Sequence, residues 1–219
     1  MSFYVVTGAG TDVGKTFAAC ALLHGAHAAG RAARGFKPVA SGVSRAAEGD
    51  VAQLLEACDK AVTEANAEAI NPWRFPAALS PNMADESKAL DFDALVSWSR
   101  AQITGEGLRL MEGVGGAMVP LDDSHTTRDW MVALGAPVIV VTGSYLGALS
   151  HTLTAIDALR ELRIAALIIC ESEGSAVPLS STADTLKRFA RDIPLIVAQP
   201  RVSSWREATE LHRLGRELE

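Results

Sequence analysis

The sequence predicts one α/β domain over residues 1–219, in which helices cover both faces of a parallel β-sheet. Strand-like and helix-like segments alternate along the chain, which is typical of such folds. Two strand-like segments, Val138–Val141 and Ile164–Cys170, are uninterrupted apolar runs, as expected for strands buried on both faces. A glycine-rich segment directly follows the first strand-like segment, and it lies at the end of the sheet where open α/β folds bind ligands.

The predicted strands are short runs of β-branched, aromatic or aliphatic residues. Gly8 ends the first of them and Pro38 ends the second, because glycine and proline interrupt regular structure. The predicted strands are Phe3–Thr7, Ala33–Lys37, Leu108–Met111, Pro137–Thr142, Ile164–Cys170 and Leu195–Ala198.

The predicted helices lack internal proline, and several place apolar residues at helical spacing. Gly30 ends the first helix, and the three prolines between Asn66 and Glu86 predict an irregular segment. The predicted helices are Lys15–Ala29, Gly49–Cys58, Asp91–Ile103, Thr127–Leu134, Gly147–Leu162, Ser181–Arg191 and Ser203–Leu218.

Charge and composition argue against several classes of partner. The net charge is −6, and no basic stripe is present, which argues against nucleic acid and anionic membrane surfaces as partners. No apolar run approaches the roughly 18 residues that a membrane-spanning helix needs. The cysteines Cys20, Cys58 and Cys170 form no C-x-x-C pair, and their odd number favours a reducing compartment. Met1–Tyr4 carries no basic residue, so we expect a cytoplasmic protein without a signal peptide.

Gly8–Thr16 has the composition of a phosphate-binding loop. It lies between a predicted strand and a predicted helix and ends in Gly14-Lys15-Thr16, the context in which backbone N–H groups bind phosphates. The first glycine of the pattern G-x-x-x-x-G-K-[ST] would stand at position 9, which is alanine, and Gly8 makes this loop one residue longer. The alternative is a glycine-rich turn that caps a helix without binding a ligand.

Two carboxylates are candidate ligands for the Mg²⁺ that accompanies a nucleoside triphosphate. Glu112 directly follows the strand Leu108–Met111 and precedes a glycine run, although a glutamate at a strand end could equally be solvated. Asp50 precedes Val51 at the start of a predicted helix. Its position alone favours a helix N-cap.

Lys37 ends the second predicted strand and is followed by Pro38-Val39-Ala40-Ser41-Gly42. A lysine at a strand end is usually solvated. At the carboxyl end of a parallel strand it would instead point into the crevice that holds the phosphate loop. Ser41 would then supply a hydroxyl close to that lysine.

Together these motifs resemble the dethiobiotin synthetase family, the biotin-synthesis enzymes of the P-loop NTPase-like group. The resemblance rests on Gly8–Thr16, Gly35–Gly42, Glu112–Gly116 and Gly143–His151, whose order and spacing extend along most of the chain. It implies that ATP and CO₂ convert 7,8-diaminopelargonate to dethiobiotin, ADP and phosphate, through an N-carbamate and a carbamic-phosphoric anhydride.

The resemblance also implies a role for each matching residue. Lys15 and Lys37 would be catalytic, and Thr16, Asp50 and Glu112 would hold Mg²⁺. The implied substrate contacts are Thr11, Lys37, Ser41, Gly147, Ala148 and Leu149. The implied nucleotide contacts are Asp12, Val13, Gly14, Lys15, Thr16, Phe17, Asp50, Glu112, Gly113, Val114, Gly115, Cys170 and Glu171.

The family pattern further implies a homodimer, in which the turn Leu146–His151 binds the acid tail of the substrate held by the partner subunit. One departure concerns the base, because Cys170-Glu171 stands where the family usually has an asparagine that contacts adenine. Neither side chain offers the paired donor and acceptor of an amide.

The main alternative to the synthetase is a partitioning or switch-type P-loop ATPase that takes no diamine. Such partitioning proteins often carry an extra lysine early in the glycine loop, and Gly8–Val13 contains none. A corrinoid-type amidotransferase would need a further glutamine-hydrolysing domain, for which 219 residues leave no room.

Overall fold

Six parallel strands form the central sheet of the computed structural model, which describes residues 2–218. The strands in chain order are β1 (Ser2–Gly8), β2 (Ala33–Phe36), β3 (Val39–Ser41), β4 (Trp73–Phe75), β5 (Leu108–Glu112), β6 (Val138–Gly143), β7 (Ile164–Cys170) and β8 (Ile196–Gln199). The central sheet has the order β2-β5-β1-β6-β7-β8, while β3 and β4 form a separate parallel pair. The predicted fold class, an α/β domain built on a parallel sheet, is confirmed.

The helices divide into two groups by their packing. The helices are α1 (Lys15–Ala28), α2 (Gly49–Ala57), α3 (Glu64–Glu68), α4 (Pro81–Ala84), α5 (Phe92–Ile103), α6 (Thr127–Leu134), α7 (Ala148–Ala158), α8 (Leu179–Phe189) and α9 (Thr209–Glu217). Helix α1 packs against α2 and α9, whereas α5 packs against α6 and α7 against α8. Right-handed crossovers between parallel strands put these groups on opposite faces of the sheet. None of the helices within residues 2–218 is long and apolar enough to cross a membrane.

The strand order places a crevice at the carboxyl end of β1. From β1 the chain crosses to β2 at one edge, and its later strands β6, β7 and β8 extend to the other edge. This reversal is the topological switch point at which open α/β sheets bind ligands. All residues of β1 and β6 are buried, so the sheet provides a rigid base for the loops at this crevice.

The structure corrects two predictions of local structure. Residues 66–86, expected to be irregular, contain the end of α3 as well as β4 and α4. These elements are too short for a periodic pattern, and β4 exists through its pairing with β3, a contact distant in sequence. The helix predicted over Ser203–Leu218 is interrupted, because Trp205–Glu207 forms a 3₁₀ turn and α9 begins only at Thr209. The Ser204 side chain accepts a hydrogen bond from the Arg206 N–H, which favours the short turn.

The contact between α1 and α9 depends on two glycines. A Cβ atom on Gly25 would lie 2.4 Å from the backbone oxygen of His212, and one on Gly215 would lie 2.1 Å from that of Leu22. The backbones of the two helices therefore approach more closely than any other residue would permit. Arg31 also holds the carboxyl end of α9, because its guanidinium donates to the carbonyls of Gly215, Arg216 and Leu218.

We predict that Gly215→Ala destabilises the protein, although alanine is the better helix former. At an exposed helix position this change stabilises by about 1 kcal/mol. Here the added methyl group meets the Leu22 backbone, and overpacking costs about 1–3 kcal/mol. Urea unfolding measures the change, with Arg213→Ala on the exposed face of α9 as the control. A Gly215→Ala variant as stable as the parent protein would contradict this close packing.

Candidate active site

A cleft of about 970 Å³ opens at the carboxyl ends of the central strands. It extends from the glycine loop after β1 across β2 and β5 to the start of α2 and the loop before α4. Predicted site residues that line this cleft are Thr11, Asp12, Gly14, Lys15, Thr16, Phe17, Lys37, Ser41, Asp50, Glu112, Val114 and Gly115. The fold thus gathers residues from four separate parts of the sequence.

The glycine loop leaves the amino end of α1 open. Gly14 is the N-cap residue with φ 94°, and no side chain caps the helix. The loop needs glycine at a second position, since a Cβ on Gly8 would lie 2.9 Å from a Val13 methyl carbon. The uncapped N–H groups and the positive end of the helix dipole form a binding site for an anion.

Lys15 is held inside the loop. Its side chain is buried, and its Nζ atom donates to the Gly10 carbonyl at 2.8 Å. Burial, and next the nearby Lys37 ammonium, lower the pKa of Lys15 from 10.5 to about 8. A phosphate bound to the loop would supply the negative charge that this lysine lacks.

Lys37 bridges two carboxylates at the base of the cleft. Its Nζ atom lies 2.7 Å from Asp50 Oδ2 and 2.5 Å from Glu112 Oε1. Burial alone would lower the pKa of Lys37, but the charges of Glu112 and Asp50 outweigh burial and raise it. Lys37 therefore remains a cation although only 4% of its surface is exposed.

Thr16 completes the cluster. Its hydroxyl donates to Glu112 Oε1 at 2.8 Å, while Glu112 Oε2 is buried without a hydrogen-bond partner.

Asp50 is not the N-cap that its position suggests. The N-cap of α2 is Glu48, and Asp50 lies in the first turn, where its carboxylate accepts from Lys37. Its burial opposes ionisation, but Lys37 prevails and lowers the pKa of Asp50.

Asn71 is a site-supporting residue that the sequence did not suggest. It is fully buried, and its Nδ2 atom donates to the Lys37 carbonyl at 2.5 Å. The Lys37 N–H in turn donates to the Ile70 carbonyl at 3.0 Å. These two bonds fix the backbone of Lys37 from both sides. Only the Asn-Pro pair before β4 could have marked this position, and that pair commonly indicates no more than a turn.

A second cleft, of about 630 Å³, lies on the other side of the glycine loop. It shares Thr11, Asp12, Gly14 and Phe17 with the first cleft, and the ends of β7 and β8 form its other wall. Val13, Cys170 and Glu171, three of the predicted nucleotide contacts, line this second cleft.

The remaining predicted contacts line neither of these two clefts. Gly113 packs beneath the first cleft, where its N–H donates to the Val6 carbonyl. Gly147, Ala148 and Leu149 form the start of α7, whose N-cap Gly147 has φ 99° and no side-chain cap. Leu146 beside them is 91% exposed.

Comparison with known proteins identifies the family. The model of a family described as an AAA domain matches residues 3–214. A protein of Acidiphilium cryptum named ATP-dependent dethiobiotin synthetase BioD is 45% identical over 202 residues, or 89% of this chain and 91% of that protein. The protein of the same name from Phenylobacterium zucineum is 44% identical over 90% of this chain and 88% of its own length. The chain belongs to the dethiobiotin synthetase family.

Solved structures agree with this family's P-loop fold. A MinC:MinD cell division protein complex from Aquifex aeolicus matches with a TM-score of 0.53 and 10% identity, covering 98% of this chain and 86% of that one. At this identity the likeness extends to the fold alone. The roles of Lys37, Glu112 and Asp50 in this dethiobiotin synthetase family member therefore need direct tests.

We predict strong coupling between Lys37 and Glu112 in a double-mutant cycle. Lys37→Met leaves the buried Glu112 carboxylate without its cation, which should lower the free energy of unfolding by about 3 kcal/mol. Adding Glu112→Gln to Lys37→Met should recover part of that loss, because the uncompensated charge is then gone. Urea unfolding of the four proteins measures the coupling. Strictly additive losses would show that the two charges do not interact.

We predict that Lys15 makes stability rise with pH above pH 8. Its pKa is about 8 in the folded chain and 10.5 as its ordinary value, so the unfolded chain holds the additional proton between these limits. Below pH 8 both states hold the proton. As the pH rises above 8 the folded chain loses the proton while the unfolded chain keeps it, so the free energy of unfolding increases. The unfolding free energy of the parent protein relative to Lys15→Met should increase by about 2 kcal/mol between pH 8 and 9.5. A constant difference would contradict the lowered pKa.

Proposed function

We propose that this chain is an ATP-dependent dethiobiotin synthetase that carboxylates 7,8-diaminopelargonate and closes its urea ring. The names of the relatives support the reaction. The observation that carries the proposal is the position of Lys37, whose buried ammonium lies at the base of the same cleft as the phosphate loop. A lysine there can bring a second anion up to a bound triphosphate.

The nucleotide would lie across the amino end of α1. Its β- and γ-phosphates would bind the N–H groups of the glycine loop and the ammonium of Lys15. The terminal phosphate would then face the first cleft and Lys37, while the base would enter the second cleft beside Cys170 and Glu171. The predicted nucleotide contacts are divided between the two clefts in this arrangement.

Thr16, Asp50 and Glu112 fit a Mg²⁺ ion that accompanies the nucleotide. Glu112 Oε2 is a buried acceptor without a partner, and the Thr16 hydroxyl lies beside the same carboxylate. Within residues 2–218 no three carboxylate, histidine or cysteine side chains are grouped to hold a metal. This agrees with an ion that takes its other ligands from phosphate and water oxygens. When bound, the ion would neutralise charge on the β- and γ-phosphates.

The two lysines would stabilise the negative charges that the reaction brings together. One amine of the diamine adds to CO₂ and loses a proton, which gives the carbamate. A carbamate oxygen attacks the γ-phosphorus and ADP leaves. The second amine then attacks the carbamoyl carbon, expels phosphate and gives up one proton, for which the departing phosphate is an available acceptor. Lys37 would hold the carbamate against the triphosphate, and Lys15 would stabilise charge on the transferring phosphoryl group. Thr11 and Ser41 line the cleft where they can contact the diamine or its carbamate.

The active unit would be a homodimer in the cytoplasm. Gly147, Ala148 and Leu149 lie outside both clefts of their own chain, and the uncapped amino end of α7 can bind the carboxylate tail of a substrate held by a partner. Cys20, Cys58 and Cys170 are free thiols, which suits a reducing compartment. Sedimentation equilibrium tests the dimer, and a monomer at assay concentrations would contradict it.

A product assay tests the proposed reaction. The purified protein receives ATP, Mg²⁺, bicarbonate and the diamine, and mass spectrometry follows dethiobiotin while a coupled assay follows phosphate. We expect both products only when the diamine is present. Phosphate release without the diamine and without dethiobiotin would overturn the synthetase and favour the partitioning or switch-type ATPase.

We predict that Lys37→Ala lowers kcat far more than it weakens nucleotide binding. Removing one preorganised charge from a reacting group costs about 10²–10³-fold in kcat, whereas the glycine loop and Lys15 remain to bind the phosphates. Titration calorimetry with ADP measures binding and the product assay measures kcat. Lys187→Ala on the exposed side of α8 is the matched control. Equal turnover in Lys37→Ala and the parent protein would remove Lys37 from the mechanism.

A further inference from the structure

Arg34 and Arg109 form an arginine pair at the end of the central sheet opposite to the two clefts. Each is the second residue of its strand, β2 or β5, whereas the clefts lie at the carboxyl ends of the strands. The two residues are direct partners in the register of β2 with β5. Because partnered residues of neighbouring strands point to the same face of a sheet, the two guanidiniums are neighbours.

The ring of Phe36 contacts both members of the arginine pair. The guanidinium carbon of Arg34 lies 5.2 Å from the ring centroid and that of Arg109 lies 5.1 Å from it. Phe36 is fully buried, and Trp98 packs edge-on against it with the ring centroids 6.1 Å apart. A cation within about 6 Å of an aromatic centroid is attracted to the ring. The buried ring therefore restricts where the two guanidiniums can lie.

No described carboxylate balances the two positive charges of the arginine pair. Neither arginine forms an ion pair within residues 2–218, and burial and the charge of Arg34 together lower the pKa of Arg109 without an acidic group to offset them. The chain as a whole is acidic, with a net charge of −6. A general excess of basic residues therefore does not explain why two arginines lie side by side here.

Most hydrogen-bond donors of the arginine pair are unused. The Nε atom of Arg109 donates to the Gln102 carbonyl at 2.6 Å, and within residues 2–218 this is the only hydrogen bond from either guanidinium. A guanidinium has five N–H donors. Arg109 is only 7% exposed, whereas Arg34 is exposed. A buried cation with unused donors is costly, and a ligand can reach the pair from the side of Arg34.

From these observations we infer that the arginine pair binds a doubly charged oxyanion, namely a phosphate group that is free or carried as a monoester. Each guanidinium can donate two parallel hydrogen bonds, and the oxygens of one tetrahedral anion can accept from both arginines at once. The two negative charges would also offset the repulsion between the arginines. A carboxylate offers one charge and two oxygens, which would satisfy only one arginine. This site lies apart from the glycine loop and does not depend on the proposed function.

Titration calorimetry with inorganic phosphate tests the arginine pair on the full chain. Excess ADP without Mg²⁺ is added first, so that the glycine loop is filled and does not take up the phosphate. We expect phosphate to bind and Arg34→Gln to raise its dissociation constant at least about tenfold, because one of two charged donors is lost. Arg163→Gln is the matched control, since Arg163 is an exposed arginine directly before β7 at the same end of the sheet. This control should keep the affinity of the parent protein.

Two further ligands and one further variant define the site. Glycerol 3-phosphate in place of phosphate shows whether monoesters enter or only the free anion does, and acetate should bind at least about tenfold more weakly than phosphate. Arg109→Lys keeps the charge but loses the planar fork of donors, so it should also weaken phosphate binding. If this buried variant fails to fold, Arg34→Gln at the exposed position decides alone, with its urea-unfolding midpoint as the check on folding.

The outcomes separate this inference from the proposed function. The inference is overturned if phosphate does not bind to the ADP-saturated parent protein, if Arg34→Gln binds it unchanged, or if Arg163→Gln loses as much affinity as Arg34→Gln. Acetate that binds as tightly as phosphate would overturn it too. Failure of ADP to bind would count against the proposed function alone, and the comparison of Arg34→Gln with Arg163→Gln would still decide the phosphate site.

Discussion

The buried ammonium of Lys37 is the interaction on which the site depends. A lysine with 4% exposure is tolerable only if opposite charges surround it. Those charges come from Glu112 at the end of β5 and Asp50 in the first turn of α2. The pairing of β2 with β5 brings Phe36 beside Met111, so the two residues that follow, Lys37 and Glu112, lie side by side. The pairing of β2 with β5 therefore brings Lys37 to Glu112, and the carboxylate of Glu112 in turn makes the burial of Lys37 tolerable.

In the glycine loop, by contrast, polar groups remain without partners. The amino end of α1 has no side-chain cap, and Asp12 adopts φ 55°, a conformation that costs energy outside glycine. Lys15 lies within the same loop and carries a lowered pKa. An uncapped helix, a strained residue and an under-compensated cation are all unfavourable without a ligand. A bound phosphate would satisfy the free N–H groups and compensate the Lys15 ammonium.

The sequence was sufficient for the sheet and for the loop, because both have local patterns. Apolar strands such as Val138–Gly143 and the Gly14-Lys15-Thr16 ending of the loop are visible in short windows. The pairing of β3 with β4 and the contact of Asn71 with Lys37 join residues more than 30 positions apart, and no local pattern encodes them. Asp50 shows the same limit, since its position suggested an N-cap and only the fold reveals Lys37 beside it.

The two clefts differ in how far the fold determines their chemistry. The first cleft is built from the glycine loop and from charges that stabilise one another, so a change at Lys37 or Glu112 disturbs the protein itself. The second cleft is walled by side chains after β7 and β8, such as Glu171, which is exposed and contributes little to the core. A substitution at Glu171 therefore leaves the packing of the sheet and the charge cluster around Lys37 unchanged. The fold thus constrains the residues of the first cleft more tightly than those of the second.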